Sequence, residues 1–165
     1  MRFLSLGLLM LGLPAVANAE EIRVDGIEVV GKGIYRVKTG EQTPDAAAPT
    51  GEIAAPITHE KMDETSKITG SIGLEFGVEY RVVGAPEAAE VDLELVITYP
   101  PPGLADPSEA EPIRATRFNR QKKIGEVAYV GYGFENDWEM VPGTWTFRIL
   151  YDNRKLLEES FTVSR

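Results

Sequence analysis

The chain has 165 residues, 26 of them acidic and 17 basic, a net charge of −9 at pH 7, and no cysteine. That length sustains a single domain with a real core. The acidic balance excludes nucleic acid and anionic lipid as expected partners, since both are gripped through Lys and Arg, and the missing thiols exclude disulfides and thiolate metal sites.

At the N-terminus, Arg2 precedes an apolar run from Phe3 to Leu13, then Pro14, then the small-residue site Ala17-Asn18-Ala19. This is the three-part layout of a secretory signal peptide. The run is too short for a membrane-spanning helix, which needs about 20 apolar residues. Cleavage is expected after Ala19, with residues 20–165 exported by a bacterium as one domain. The expected location is the periplasm, or the extracellular space after further export. No later stretch is long and apolar enough to cross a membrane, and no Cys follows the cleavage site to carry a lipid.

Weak strand patterns follow at Ile22 to Val30 and Gly33 to Lys38, and Gly40 to Gly51 reads as a small, polar, Pro-containing loop. Strong alternation begins with Ile72, Leu74, Phe76, Val78, Tyr80 and Val82, with Glu75, Glu79 and Arg81 on the opposite parity. A period of two places the apolar set on one face of a strand, whereas a helix needs spacings of three and four. Gly84-Ala85-Pro86 turns the chain into a second such strand, Val91 to Tyr99. The Pro-rich acidic stretch Pro100 to Pro112 reads as a loop. Weaker strands are expected at Ile113 to Phe118 and Glu126 to Tyr132. Pro142-Gly143 starts a strand carrying Trp145, Phe147, Ile149 and Tyr151. Asp152-Asn153-Arg154 fits a hairpin turn, because Asp and Asn tolerate left-handed backbone. Phe161 and Val163 mark the last strand. Seven or eight strands without a helix predict an all-β, antiparallel two-sheet sandwich of immunoglobulin-like type, held without a disulfide.

Five local patterns extend this reading: Gly33-Ile34-Tyr35, the run Phe76 to Tyr80, Pro102-Gly103-Leu104, Gly131-Tyr132-Gly133-Phe134, and the run Trp138 to Phe147. Together the chain resembles a family of secreted bacterial immunoglobulin-like domains known only as a domain of unknown function. The resemblance implies the fold and carries over no activity and no functional residue.

The chemistry-bearing residues argue against catalysis. His59 is the only histidine, there is no cysteine, and no Gly-x-Ser-x-Gly elbow occurs. His59-Glu60-Lys61-Met62-Asp63 has the start of a zincin motif without the second His, and reads as an exposed polar loop. Glu135-Asn136-Asp137 and Glu139 offer oxygens but lack the spacing of a calcium loop, and read as a solvated turn. Glu75, Glu79, Asp92 and Glu94 alternate with apolar residues, as a wet sheet face requires. No catalytic residue, metal or cofactor is therefore expected.

Two features suggest an interaction surface. Phe134 and Trp138, with Tyr132, flank a polar loop; exposed aromatics mark contact surfaces, and buried ones close a core. Arg117, Arg120, Lys122 and Lys123, with Arg114, form the only basic stretch on an acidic chain. They either grip an acidic partner or an anionic sugar polymer, or pair with Glu75, Glu79 and the acidic loop. The expectation is a non-enzymatic periplasmic module that binds an envelope protein through these residues, sheet-edge pairing being a second route. The alternative is a domain for carbohydrate or a small ligand, marked by an aromatic-lined concavity with carboxylates. A hydrolase, the third class, requires a buried acidic pair with shifted pKa in a cleft.

Overall fold

A computed structural model describes residues 20–46 and 48–165; the expected signal peptide lies outside them. Alternation turns directly into architecture. Phe76, Val78, Tyr80 and Val82 have no exposed surface and point into the core from β4 (Glu75–Ala85). The strand begins later than the pattern suggests, because Gly73 takes a left-handed φ of 82° in the preceding turn and leaves Ile72 exposed. The apolar faces of β5 (Glu90–Thr98), β8 (Gly143–Tyr151) and β9 (Arg154–Ser164) answer it from the other side. Asp152 and Asn153, both at positive φ, form the two-residue hairpin between β8 and β9.

The remaining strands are β1 (Arg23–Pro44), β2 (Glu52–Asp63), β3 (Lys67–Thr69), β6 (Ala115–Lys123) and β7 (Val127–Gly133). One sheet runs β2-β1-β4-β7, the other β3-β9-β8-β5-β6, and every pairing is antiparallel except β3 with β9. The nine strands among the described residues exceed the expected seven or eight, because β2 and β3 were not legible as strands. β2 pairs only with β1 and lies mostly exposed, so it lacks a buried apolar face to produce alternation. The two weak N-terminal strands are one strand of 22 residues, offset against β4 at two bulges. The expected loop from Gly40 shrinks accordingly, since pairing with β2 continues to Pro44. The Pro-rich stretch is a connection, pinned by the fully buried Leu104, which bridges to Ile113.

Trp145 occupies the centre. Its ring lies 4.8–5.7 Å from those of Phe76, Tyr99, Tyr132 and Phe134, and its Nε1 donates to the Val141 carbonyl at 3.0 Å. This aromatic cluster fills the centre of a sandwich that has no disulfide to cross-link its sheets.

Candidate functional site

β6 and β7 follow one another in the chain but belong to different sheets, each at an edge. Where the sheets part between them, a cleft of about 260 Å³ opens, and the β1–β2 hairpin closes its third side through Val37, Thr39, Gln42 and residues 48–56. Leu95, Ile97 and Tyr99 form its apolar wall.

Strand parity divides the basic stretch. Thr116, Phe118, Arg120 and Lys122 line the cleft, whereas Arg117 and Lys123 lie on the opposite face of β6. Each outward cation has an acidic neighbour: Arg117 donates to Glu94 at 2.9 Å, and Lys123 lies 3.9 Å from Glu126. The inward cations have none among the described residues. The Arg120 guanidinium sits over the Phe118 ring, 4.8 Å from its centroid, and donates only to the Asn119 carbonyl at 2.9 Å. Lys122 is partly buried; desolvation first, then the Arg120 charge, push its ammonium below the ordinary lysine range.

The cleft also holds carboxyl groups. Glu75 and Glu135 both line it. Burial raises Glu75 to about 7; the nearby Tyr129 hydroxyl partly offsets this and the Glu135 charge adds to it. The Tyr129 hydroxyl falls short of hydrogen-bond geometry. It is one of four buried hydroxyls without a partner, with those of Tyr35, Tyr80 and Tyr132. Two of the four belong to the cleft. Tyr129 and Tyr132 line the cleft, Tyr35 packs 4.8 Å from Tyr129, and the Arg120 charge acts on Tyr80. Burial drives the Tyr129 and Tyr132 phenols far above their ordinary range.

Several expectations change here. Glu75 and Glu79 do not lie on a wet face, because the β1–β2 hairpin folds over it. Its His59 stacks on Tyr129 at 5.2 Å, with Nε2 3.0 Å from the Glu79 carboxylate. His59 is therefore a packed strand residue and not part of an exposed loop. Phe134 has no exposed surface and packs between Phe76 and Trp145. Trp138 is half-buried against the core, in the 3-10 turn Asp137–Glu139. Neither lines the cleft, so the aromatic loop and the basic stretch do not form one surface. Glu139 is fully buried, and its carboxylate accepts the backbone N–H groups of Glu135 (2.7 Å) and Asn136 (3.3 Å), plus Asn136 Nδ2 (3.1 Å). That carboxylate organises the turn and is not left free as a ligand. Among the described residues, no group of three or more potential metal ligands comes together.

Sequence reasoning missed Glu75, Tyr129, Thr39 and Gln42 as site residues. The parity of β6 was the available signal, since Phe118, Arg120 and Lys122 share one face of a strand.

The two facing sheets and the aromatic centre define an immunoglobulin-like β-sandwich. More particularly, the chain belongs to the family described as Domain of unknown function (DUF3859), whose family model matches residues 24–163. Among solved structures it is similar to an immunoglobulin-like protein from Pseudomonas aeruginosa. That likeness has 24% identity and a TM-score of 0.55, and covers 90% of this chain and 99% of that one. Structures of β-glucosidase from Listeria innocua, with gluconolactone and with glucose, match at 9% identity and TM-scores of 0.38 and 0.35. They cover 81% of this chain and 16% of theirs. No curated protein matches the chain. Among the described residues no helix is long and apolar enough to cross a membrane.

Proposed function

We propose that this protein is an exported, non-enzymatic binding module of the bacterial envelope, and that its ligand sits in the cleft between β6, β7 and the β1–β2 hairpin. The observation that carries this reading is the pair Arg120 and Lys122, which face the cleft without an acidic partner while their outward neighbours on β6 are paired. Partly buried cations of like sign cost stability unless an anion joins them. The burial of Phe134 removes one of the two aromatic contacts expected for an envelope protein. A small concavity with apolar walls and a few convergent polar groups suits a compact ligand. A stable protein interface, by contrast, covers about 800 Å² on each partner.

The test is photo-cross-linking in the periplasm, with a photoreactive residue in place of Gln42 at the cleft or of Lys67 on β3. An adduct formed at Gln42 but not at Lys67, with a mass increment below that of a protein, is the expected result. A protein adduct at Gln42 would restore the protein-partner reading. Equal labelling at both positions, or none, would remove the cleft from consideration.

A hydrolase reading has one observation in its favour: Glu75, raised to about 7 near the Glu135 charge, resembles a general acid. Glu135, however, is exposed, so water is not excluded from that side. Reducing ends released from oligosaccharides by the native protein, but not by Glu75→Gln, would decide for hydrolysis.

A further inference from the structure

Resting on the binding-module reading, we propose that the cleft takes a carboxylate-bearing sugar, one uronic acid unit of an acidic oligosaccharide. Its carboxylate lies between Arg120 and Lys122, and its hydroxyls face Glu75 and Glu135.

The cation wall is built for one planar anion. Arg120 and Lys122 are two positions apart on a strand, so their side chains leave the same face about 6.6 Å apart. The Phe118 ring lies 4.8 Å from the Arg120 guanidinium and attracts it, which steadies the cation on the face of β6 that lines the cleft. A guanidinium fork matches a carboxylate with two parallel hydrogen bonds, and the Lys122 ammonium adds a point charge. An anion here would offset by direct attraction the two effects that now disfavour the Lys122 charge, its desolvation and the Arg120 repulsion. The outward cations of β6 offer no such gain, because Glu94 and Glu126 already serve them.

The carboxyl groups that line the same cleft restrict the rest of the ligand. Phosphate or sulfate alone would bring only negative oxygens toward Glu75 and Glu135. A ligand that fits both sets of groups carries an anion for the cations and hydrogen-bond donors for the carboxyl groups. Hydroxyls suit Glu75 better than an ammonium does, because a carboxyl near half-protonation both donates and accepts. The Tyr129 hydroxyl, buried and unpartnered, adds a further polar group to the cleft. Val37, Ile53 and Pro56, which line the cleft and are only partly buried, present apolar surface to the C–H face of a ring. The volume of about 260 Å³ lies just under the roughly 300 Å³ where small-molecule sites begin, which suits one or two sugar units.

The test is titration calorimetry on the mature protein with galacturonate and mannuronate trisaccharides, each against its methyl ester. Esterification removes the charge and keeps the ring. We expect saturable binding of at least one acid form, weakened tenfold or more by esterification. Arg120→Gln or Lys122→Gln should each cause a similar loss, and the double variant Arg117→Gln with Lys123→Gln should leave affinity unchanged. Both substituted pairs lie on an edge strand outside the aromatic core, so circular dichroism should be unaltered. Three results would overturn the proposal: no binding of either acid, equal binding of acid and ester, or an equal loss from the outward pair. Competition by inorganic phosphate or by triglutamate as strong as by the uronate would also overturn it, in favour of a general anion or peptide site. If neither acid binds while Gln42 still cross-links in cells, the ligand class falls and the binding module stands. If both experiments are negative, both readings fall.

Discussion

The same two sheets enclose two regions of opposite character. Around Trp145 they are closed by interlocked rings, and the indole N–H and the nearby Glu139 carboxylate find partners, although the Tyr132 hydroxyl in the same cluster has none among the described residues. Trp145 Nε1 has the Val141 carbonyl, the Tyr99 hydroxyl lies 2.6 Å from Thr116 Oγ1, and the Glu139 carboxylate collects backbone donors. Toward the β6–β7 edge the same sheets part, and partners run out. Among the described residues Arg120 and Lys122 have no acidic partner, burial raises Glu75 to about 7, and the Tyr129 and Tyr132 hydroxyls go unsatisfied. Native interiors satisfy nearly all buried polar groups, so these exceptions support the ligand site proposed there. The Trp145 region specifies the fold, and the edge region is held in shape by that fold without contributing much to its stability.

Substitutions can break or sharpen this contrast. The largest expected effect is in the closed region. Phe76→Ala should lower the unfolding free energy by about 3–5 kcal/mol, read as a lower midpoint in urea, and Phe134→Ala should fall in the same range. A loss under about 0.5 kcal/mol for Phe134→Ala would place that ring outside the core and return it to the contact surface.

Next in size is a pH effect at the open end. Glu75 is held at about 7, against 4.5 in an unfolded chain. The folded state therefore binds this proton more tightly, and its contribution to stability is present below pH 4.5. It is lost as pH rises through 7, by up to about 3 kcal/mol. Glu75→Gln should flatten denaturation profiles between pH 5 and 8 and be more stable than the native chain at pH 8. A parallel profile for the two proteins would mean that Glu75 is hydrated.

His59→Ala should cost about 1 kcal/mol by removing the Glu79 contact and the stack on Tyr129. Amide exchange should quicken in β2 and stay unchanged in β4; equal quickening in both would show that the hairpin is integral to the core. The smallest effect is expected from Lys122→Gln, where relief of repulsion by Arg120 should leave urea stability equal or higher by a few tenths of a kcal/mol. A loss above about 1 kcal/mol would reveal a structural partner for the ammonium.

The central strands were legible because each has one buried face, and burial writes itself into sequence as a period of two. Val91, Leu93, Leu95, Ile97, Trp145, Phe147 and Ile149 all carry that mark and all lie in the core. β2 carries no such mark, since its pairing with β1 rests on backbone hydrogen bonds that any residue can make. The hairpin that completes the cleft was invisible for that reason. The aromatic loop was misplaced for a related one: Phe134 beside a polar turn reads alike whether the ring points in or out.

Composition and alternation by themselves determined a cysteine-free, all-β sandwich with an aromatic centre, because residue type and parity decide which side chains leave water. They also singled out the basic stretch. Only the tertiary structure decided which of its cations have acidic neighbours, because a carboxylate neutralises a cation by proximity in space. Glu94 and Glu126 reach Arg117 and Lys123 on the outer face. Folding of the β1–β2 hairpin over β7 buries Glu75 in the same cleft that Arg120 and Lys122 line, and turns one face of an edge strand into the wall of that cleft.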